Sequence, residues 1–553
     1  MADKTVVIKT KLGHLRGSIK HSVLTDNSYY AFQGIPYGKP PLGDLRFKAP
    51  QPFGGWEGIR DALEDGPVAK QKILFHTADM DPAQFSEGEE DCLYLNIYMN
   101  ELPDSSRPKK PVMFSIHGGG FIGGSGGFKR AGPDILLYGD VIFVSHNYRL
   151  GAFGFLSLEN EDAPGNAGLK DQTLALKWVH DNIDSFGGDP NNVTIFGISA
   201  GGASVGYHLI SPSSRGLFNK GIMQSGFALN PWAIQENPRS NALRLAKHLG
   251  CKSEDSHEVF QTLRSASSDD ILIAADKLPT DEVVMKRFGL TFVPCVETPG
   301  PDAFLTDSPE NVMKKGDFAK VPIVLGCCVK EGALFGFVGL NEEKFAVVNE
   351  NPSFVVPSFL RLKTGSVEEK EAQKEIWDYY LKGNPISWDN LSSYLYCLGD
   401  SLFHLGMEQT RKYLLERSSE SVYCYLFTNH SNCLCKIMKA KYDDPEEFSR
   451  IVTPSETCHA ADAAFVYIVH SILPASDLTP ASKEARIKQA KAWTSFAYKG
   501  DPNCSELEAI WNKNAKDNPC FMDIGTSWNM NQGIPLSARI SFWEKLYSKY
   551  RSE

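Results

Sequence analysis

Val193-Thr194-Ile195-Phe196-Gly197-Ile198-Ser199-Ala200-Gly201-Gly202 is the stretch from which the rest of this 553-residue chain can be read. A β-rich run enters Gly-x-Ser-x-Gly, and a helix-compatible stretch, residues 203–210, leaves it. A serine on a tight strand-to-helix turn stands proud of a sheet. Glycine is needed on either side of it, where a side chain would collide with neighbouring backbone. The following helix turns its positive dipole end and free N–H groups toward that serine. Gly-x-Ser-x-Gly alone arises by chance. With a strand before it and a helix after it, the motif makes Ser199 a candidate nucleophile.

Outward from this turn, short apolar runs recur at 93–98, 112–116, 141–145 and 220–224. Gly-rich turns and helical stretches separate them. Residues 171–183 carry Leu174, Leu176, Trp178, Val179 and Ile183 at helical spacing. Buried runs alternating with helices predict an α/β fold with a large, mostly parallel central sheet flanked by helices. Residues 5–17 predict a strand pair turning near Gly13. Residues 30–56, rich in Pro, Gly and aromatics, predict ordered loop. Beyond about residue 330 the pattern becomes helical. Ser366 and Glu369 form a capping-box start for a helix through Leu381, and residues 485–496 keep helical spacing. Neither repeat nor linker interrupts the chain, so residues 1–553 are expected to form one domain with a helical C-terminal portion.

The balance of 57 basic against 67 acidic residues gives a net charge of −10, which argues against a nucleic-acid binder. The one compact basic spot, Arg107-Pro108-Lys109-Lys110, reads as a solvated turn into the strand at 112–116. The N-terminus lacks the apolar core of a secretory signal, and no apolar stretch approaches the ~18 residues of a membrane span. The expected location is the cytoplasm, or outside the cell if a signal has been removed. The 12 cysteines lack paired CxxC spacing, so neither a disulfide scaffold nor a zinc site is indicated. Cys433 and Cys435 read as ordinary buried thiols. Asn192, Asn390, Asn429 and Asn503 begin sequons that matter only in the secretory path.

A second element supports the serine. His117-Gly118-Gly119-Gly120-Phe121 follows the strand ending at Ile116. Consecutive glycines let backbone N–H groups converge on one point, as a tetrahedral oxyanion requires. Hydrolases of this layout place an acid and then a base after the nucleophile. The run 321–326 predicts a late strand, and Glu331-Gly332 follows it. For the base, His208, His248, His257, His404, His430 and His459 all follow the serine, with His470 close behind. Spacing alone does not choose among them.

These residues closely resemble those of the type-B carboxylesterase/cholinesterase family of α/β-hydrolases, nearest in flavour to insect carboxylesterases. The resemblance covers nearly the whole chain. It includes Phe32–Tyr37, Glu90–Asn96, the His117–Phe121 loop, Asn147–Gly151, Gly165–Gln172, Phe186–Pro190 and Gln224-Ser225-Gly226. Trp493, Phe496, Ala497, Gly500, Pro502 and Asn503 match near the end. It implies an α/β-hydrolase fold and a triad of Ser199, Glu331 and His459. It also implies oxyanion donors at the N–H groups of Gly119, Gly120 and Ala200. Trp232 matches a position lining the acyl pocket, and Phe121, at the end of the glycine loop, is expected to line the substrate pocket too. Arg46–Glu90 and Arg149–Asp171 resemble the family's scaffold ion pairs.

Four residues depart from the family pattern. Ile198 stands where Glu is common and makes the site more apolar. Insect hormone esterases more often carry Gln there. Gly66-Pro67-Val68-Ala69 holds no cysteine to partner Cys92, which is therefore expected to be reduced. No Trp lies between Trp56 and Cys92, so the cation-binding indole of cholinesterases is absent. Lys330 precedes the acid where Asp is more usual, a change the sequence does not explain.

The implied activity is hydrolysis of neutral, apolar carboxylic esters through an acyl-enzyme, without metal or cofactor, in the manner of xenobiotic detoxification. The expected partner is a small-molecule ester, with no nucleic acid, and the chain is expected to be a monomer or weak homo-oligomer. The alternatives are a slow-turnover protein that sequesters esters or organophosphates, a non-catalytic binding protein, and a hormone or odorant esterase. Ile198 and the missing indole predict that acetylthiocholine is hydrolysed more slowly than a neutral ester of similar size. Comparing kcat/KM for the two checks this, and a preference for the choline ester would refute it.

Overall fold

The quoted stretch forms the strand, turn and helix expected of it in the computed structural model, which describes residues 4–73, 86–338, 340–429, 451, 456–468 and 479–551. The strands in chain order are β1 (Thr5–Thr10), β2 (Gly13–His21), β3 (Ser28–Pro36), β4 (Ile59–Asp61), β5 (Gln71–Lys72), β6 (Ser86–Glu87), β7 (Tyr94–Met99) and β8 (Lys110–Ile116). They continue with β9 (Ile142–His146), β10 (Gly188–Ile198), β11 (Lys220–Gln224), β12 (Ile323–Cys328), β13 (Val422–Phe427), β14 (Cys520–Ile524) and β15 (Trp528–Gln532). All but β5 and β6 join one sheet in the order β1-β2-β3-β7-β9-β8-β10-β11-β12-β13-β14-β15, with β4 beside β2. From β9 to β14 every pairing is parallel; the pairings outside that block are antiparallel, except β4 on β2. This is the α/β-hydrolase fold.

Alternation within the parallel strands divides the core in two. On one face Val112, Phe114 and Ile116 of β8, Val193 and Ile195 of β10, and Ile323 and Leu325 of β12 pack with the helices Ala167–Asn182 and Ala200–Ile210. On the other, Met113, Phe196, Ile198, Val324 and Tyr425 pack with the helix Pro480–Lys499. A strand buried on both faces reads as a continuous apolar run, which is why β8, β10 and β12 were visible in the sequence. Every residue of Ala200–Ile210 is buried, so this helix sits inside the molecule with the nucleophile turn at its N-terminus.

The structure corrects four sequence expectations. Residues 30–36, read as the start of a loop, belong to β3, whose register shifts between Phe32 and Ile35 at a bulge. The bulge breaks the alternation that would have marked a strand. The C-terminal portion is largely helical but also supplies β13, β14 and β15, which complete one side of the sheet beyond β12. The helix expected at 171–183 begins a turn earlier, at Ala167, and the helix after the serine begins at Ala200. The capping box formed as read: Ser366 Oγ accepts from Glu369 N, and the helix runs Val367–Leu381. Cys433, Cys435, His430 and His470 lie outside the described residues. Among the described residues no helix is long and apolar enough to cross a membrane. Cys92 is a buried free thiol.

Both scaffold ion pairs are present. Arg149 donates from Nε and Nη2 to the two oxygens of Asp171, at 2.8 and 2.6 Å, in full burial. Arg46 clasps Glu90 and also donates to the carbonyls of Arg264 and Ala266, stapling the end of the helix Ser256–Ser265 to the first third of the chain.

Buried imidazoles give the fold a pH limit. His208, on the helix behind the serine, pairs with Ser214 Oγ at 2.7 Å and Gln172 Oε1 at 2.9 Å, and burial holds its pKa down at about 3. Burial holds His146 well below its ordinary value too. The unfolded chain therefore takes up protons near pH 6.5 that the folded chain refuses. Stability falls as pH drops below 6.5, by about 1.4 kcal/mol per pH unit for each such group, until the group titrates in the fold. Thermal scans are expected to show Tm falling steadily from pH 7 to pH 4, with a shallower slope in His208→Gln. An equal slope in the variant would refute this role for His208.

Candidate active site

Ser199 stands between β10 and the helix Ala200–Ile210 with φ 60° and ψ −123°, a conformation an L-residue adopts only under constraint. The constraint is visible. Ser199 N donates to Gln224 O at 2.8 Å, and Ser199 O accepts from Ala203 N at 2.9 Å. A Cβ on residue 201 would stand 2.0 Å from the carbonyl oxygen of Ile116, so only glycine lets β8 and the helix approach this closely. The turn is thus fixed by the neighbouring strand, and the hydroxyl is delivered at the carboxyl end of the sheet, where open α/β sheets place their ligands.

The glycine loop leaves β8 beside it, Ile116 being in register with Gly197. Gly119 has φ 112°, open only to glycine, and its carbonyl accepts from Ile122 N and Gly123 N at 3.1 and 3.0 Å. Gln71 Oε1 accepts from Gly124 N at 2.6 Å and closes the loop from outside. The amides of Gly119, Gly120 and Ala200 donate to no group among the described residues. Three unspent N–H donors beside a serine are what a developing oxyanion needs.

Glu331 and His459 meet directly: Glu331 Oε2 lies 2.5 Å from His459 Nδ1, and both side chains are buried. The other carboxylate oxygen accepts from Ser225 Oγ at 2.6 Å and from Cys328 N at 2.7 Å. Burial would raise the pKa of this carboxyl. The His459 charge and hydrogen bond, helped by His404 and Ser225, outweigh burial and hold it below the usual range. Glu331 therefore stays ionised and fixes the tautomer of its imidazole partner. Ser199 Oγ and His459 make no hydrogen bond among the described residues; contacts of this kind commonly tighten only when substrate is bound.

Three groups here have roles that the sequence reading did not assign, although His404 stood among its candidate bases. Ser225 stood in plain view in Gln224-Ser225-Gly226, but its reach to Glu331 depends on β11 and β12 being neighbours. Asp462 is buried, accepting from Tyr425 OH at 2.6 Å and Gln224 Nε2 at 2.9 Å; burial raises its pKa. His404 donates from Nε2 to Cys328 O at 2.8 Å and faces Asp400 Oδ1 with Nδ1 at 2.9 Å. Cys327, Glu331 and His404 offer donor atoms within 4.8 Å of one another. The carboxylate and both imidazole nitrogens already have protein partners, so the trio is the setting of the acid rather than a metal cage.

Aromatic rings gather beside these groups. Trp232 donates from Nε1 to Leu402 O at 2.9 Å and lies 6.3 Å from Phe121 and 5.6 Å from Phe403 between ring centroids. Phe403 in turn lies 4.7 Å from the His459 ring and 5.9 Å from Phe288. The structure therefore links Trp232, Phe121 and His459 through one aromatic cluster.

The chain was compared with known proteins. A model described as "Carboxylesterase family" matches residues 4–543. A carboxylic ester hydrolase of Bombus ignitus is 34% identical over 549 residues, covering 98% of this chain and 94% of that protein. A juvenile hormone esterase of Tribolium castaneum is 37% identical over 433 residues, covering 76% and 72%. A crystal structure of juvenile hormone esterase from Manduca sexta, with OTFP covalently attached, superposes with a TM-score of 0.84. It is 28% identical and covers 99% of this chain and all of its own.

A hydrogen bond to a buried charge contributes about 1.5–3 kcal/mol. Ser225→Ala is therefore expected to lower kcat on a p-nitrophenyl ester by about 10- to 100-fold, with Tm shifted only slightly. Unchanged kcat would show that Ser225 does not tune the acid.

Proposed function

The chain belongs to the carboxylesterase family and is a carboxylic-ester hydrolase, and from that premise we propose that Ser199, His459 and Glu331 carry the reaction through an acyl-enzyme. His459 Nε2 takes the Ser199 proton as Oγ attacks the ester carbonyl. The carbonyl oxygen becomes an oxyanion facing the amides of Gly119, Gly120 and Ala200. One such donor is typically worth about 2.7–4 kcal/mol of barrier. Glu331 holds the imidazole through Nδ1 and stabilises its cation without taking the proton. Collapse of the intermediate breaks the bond to the alcohol oxygen, which leaves with the proton from His459. Water, deprotonated by the same imidazole, then attacks the acyl carbonyl and frees the acid and Ser199.

The single observation that carries this assignment is the buried 2.5 Å contact between Glu331 and His459, in a sheet where β11 alone separates β12, which leads to Glu331, from β10, which leads to Ser199. We read the substrates as neutral, apolar esters. Ile198 and the cluster of Trp232, Phe403 and Phe288 support this, since these rings favour apolar groups. Relatives named juvenile hormone esterase support a second reading within the same chemistry, a hormone ester. The whole chain is read as one such unit. Cys92, Cys327, Cys328 and Cys424 are buried free thiols, which supports a reducing, cytoplasmic setting. Exposed apolar side chains such as Leu42, Ile273, Val367 and Ile510 sit on different elements, in keeping with a monomer or weak homo-oligomer.

Stopped-flow hydrolysis of p-nitrophenyl esters from acetate to octanoate tests the assignment. A burst followed by sustained turnover is expected, both lost in Ser199→Ala. A burst without turnover would identify a sequestering protein. Near-normal activity in the variant would overturn the triad.

A further inference from the structure

Lys330, the residue before Glu331, has a fully buried side chain. A buried ammonium is costly unless it is paired and hydrogen-bonded. Its Nζ lies 2.8 Å from Glu456 Oε2 and donates to Ser392 Oγ at 2.9 Å. Glu456 precedes His459 by three residues. Its second carboxylate oxygen accepts from Tyr396 OH, and Tyr396 and Ser392 lie one turn apart on the helix Leu391–Gly399. One ammonium therefore joins the residue before the acid, the segment that carries the imidazole, and a helix behind both.

The backbone repeats the connection. Lys330 N donates to Thr457 O at 3.0 Å and Val329 N to Thr457 Oγ1 at 3.1 Å, with Lys330 and Cys458 bridged in parallel. Thr457 Oγ1 then donates to Phe427 O, at the end of β13. These rungs fix how far the segment stands from β12. The ion pair holds the segment one residue beyond the rung at Thr457.

We propose that Lys330 is a positioning residue: clamped to Glu456, it holds the segment 456–459 so that the His459 imidazole stays seated on Glu331. The role rests on the triad proposed above. It gives this chain's departure before the acid a function, and Lys330 touches neither substrate nor the reacting atoms.

Three variants and an active-site titration test it. The charged and titratable groups around the clamp are Glu456, Tyr396 and Arg539; those around the imidazole are Glu331, Asp462 and His404. Lys330→Met/Glu456→Gln removes both charges of the clamp together, so a change in the acid limb of kcat/KM against pH reports the Glu331–His459 contact. Expected for this double variant are a kcat per fluorophosphonate-titrated serine about 10- to 100-fold down, KM within about threefold, and an acid limb moved to lower pH. Lys330→Arg is expected to keep kcat within about threefold of wild type. If the double variant does not fold, Glu456→Gln alone is read by kcat per titrated serine and KM, since the ammonium it leaves unpaired would itself move the acid limb. A lowered Tm with kcat per titrated site and pH profile both unchanged would overturn the positioning role and leave the triad standing. A wild-type protein that fluorophosphonate does not titrate would overturn the triad, and the clamp's role with it.

Discussion

The carboxylate of Glu331 has no access to water, and the site is arranged around that charge. An ionised carboxyl in such a place survives only when its lone pairs are met, and each partner that meets them comes from a different element. Ser225 arrives from the end of β11, Cys328 N from β12 itself, and His459 from the segment tied to β13. Satisfying one buried charge therefore aligns three neighbouring strand ends. The imidazole then inherits its orientation and tautomer from the acid, and the proposed chemistry at Ser199 requires both.

The serine is held by a different constraint, steric rather than electrostatic. The Ile116 carbonyl occupies the space into which a side chain at 201 would project. Because β8 and β10 are parallel neighbours, their ends bring the glycine loop and the nucleophile turn together. The same packing leaves the amides of Gly119, Gly120 and Ala200 without acceptors among the described residues. Strain at Ser199 and unspent donors at its side are two results of one close approach.

How much of this was legible follows from the physics. Close approaches that demand glycine, and strands buried on both faces, leave local signatures, so the turn at Ser199, the loop at 117–121 and strands β7 to β12 could be read from the chain. Residues 30–36 hid because the bulge between Phe32 and Ile35 breaks alternation. β13, with Tyr423 and Tyr425 facing one helical layer and Cys424 the other, is a short apolar run inside helical surroundings. The base could not be chosen by spacing, since a histidine beside alanines has no local mark. Only the resemblance selected His459, which lies 2.5 Å from Glu331. Ser225, Lys330 and His404 act across 62 to 126 residues of sequence, and only the order of strands brings their partners within reach.

Rapid-quench mass spectrometry during hydrolysis of a p-nitrophenyl ester tests the central claim most directly. One acyl group per chain, carried by the peptide that contains Ser199 and gone once substrate is consumed, is the predicted result. Product formed with no acyl group on that peptide at any time, or acyl carried by another residue, would contradict it.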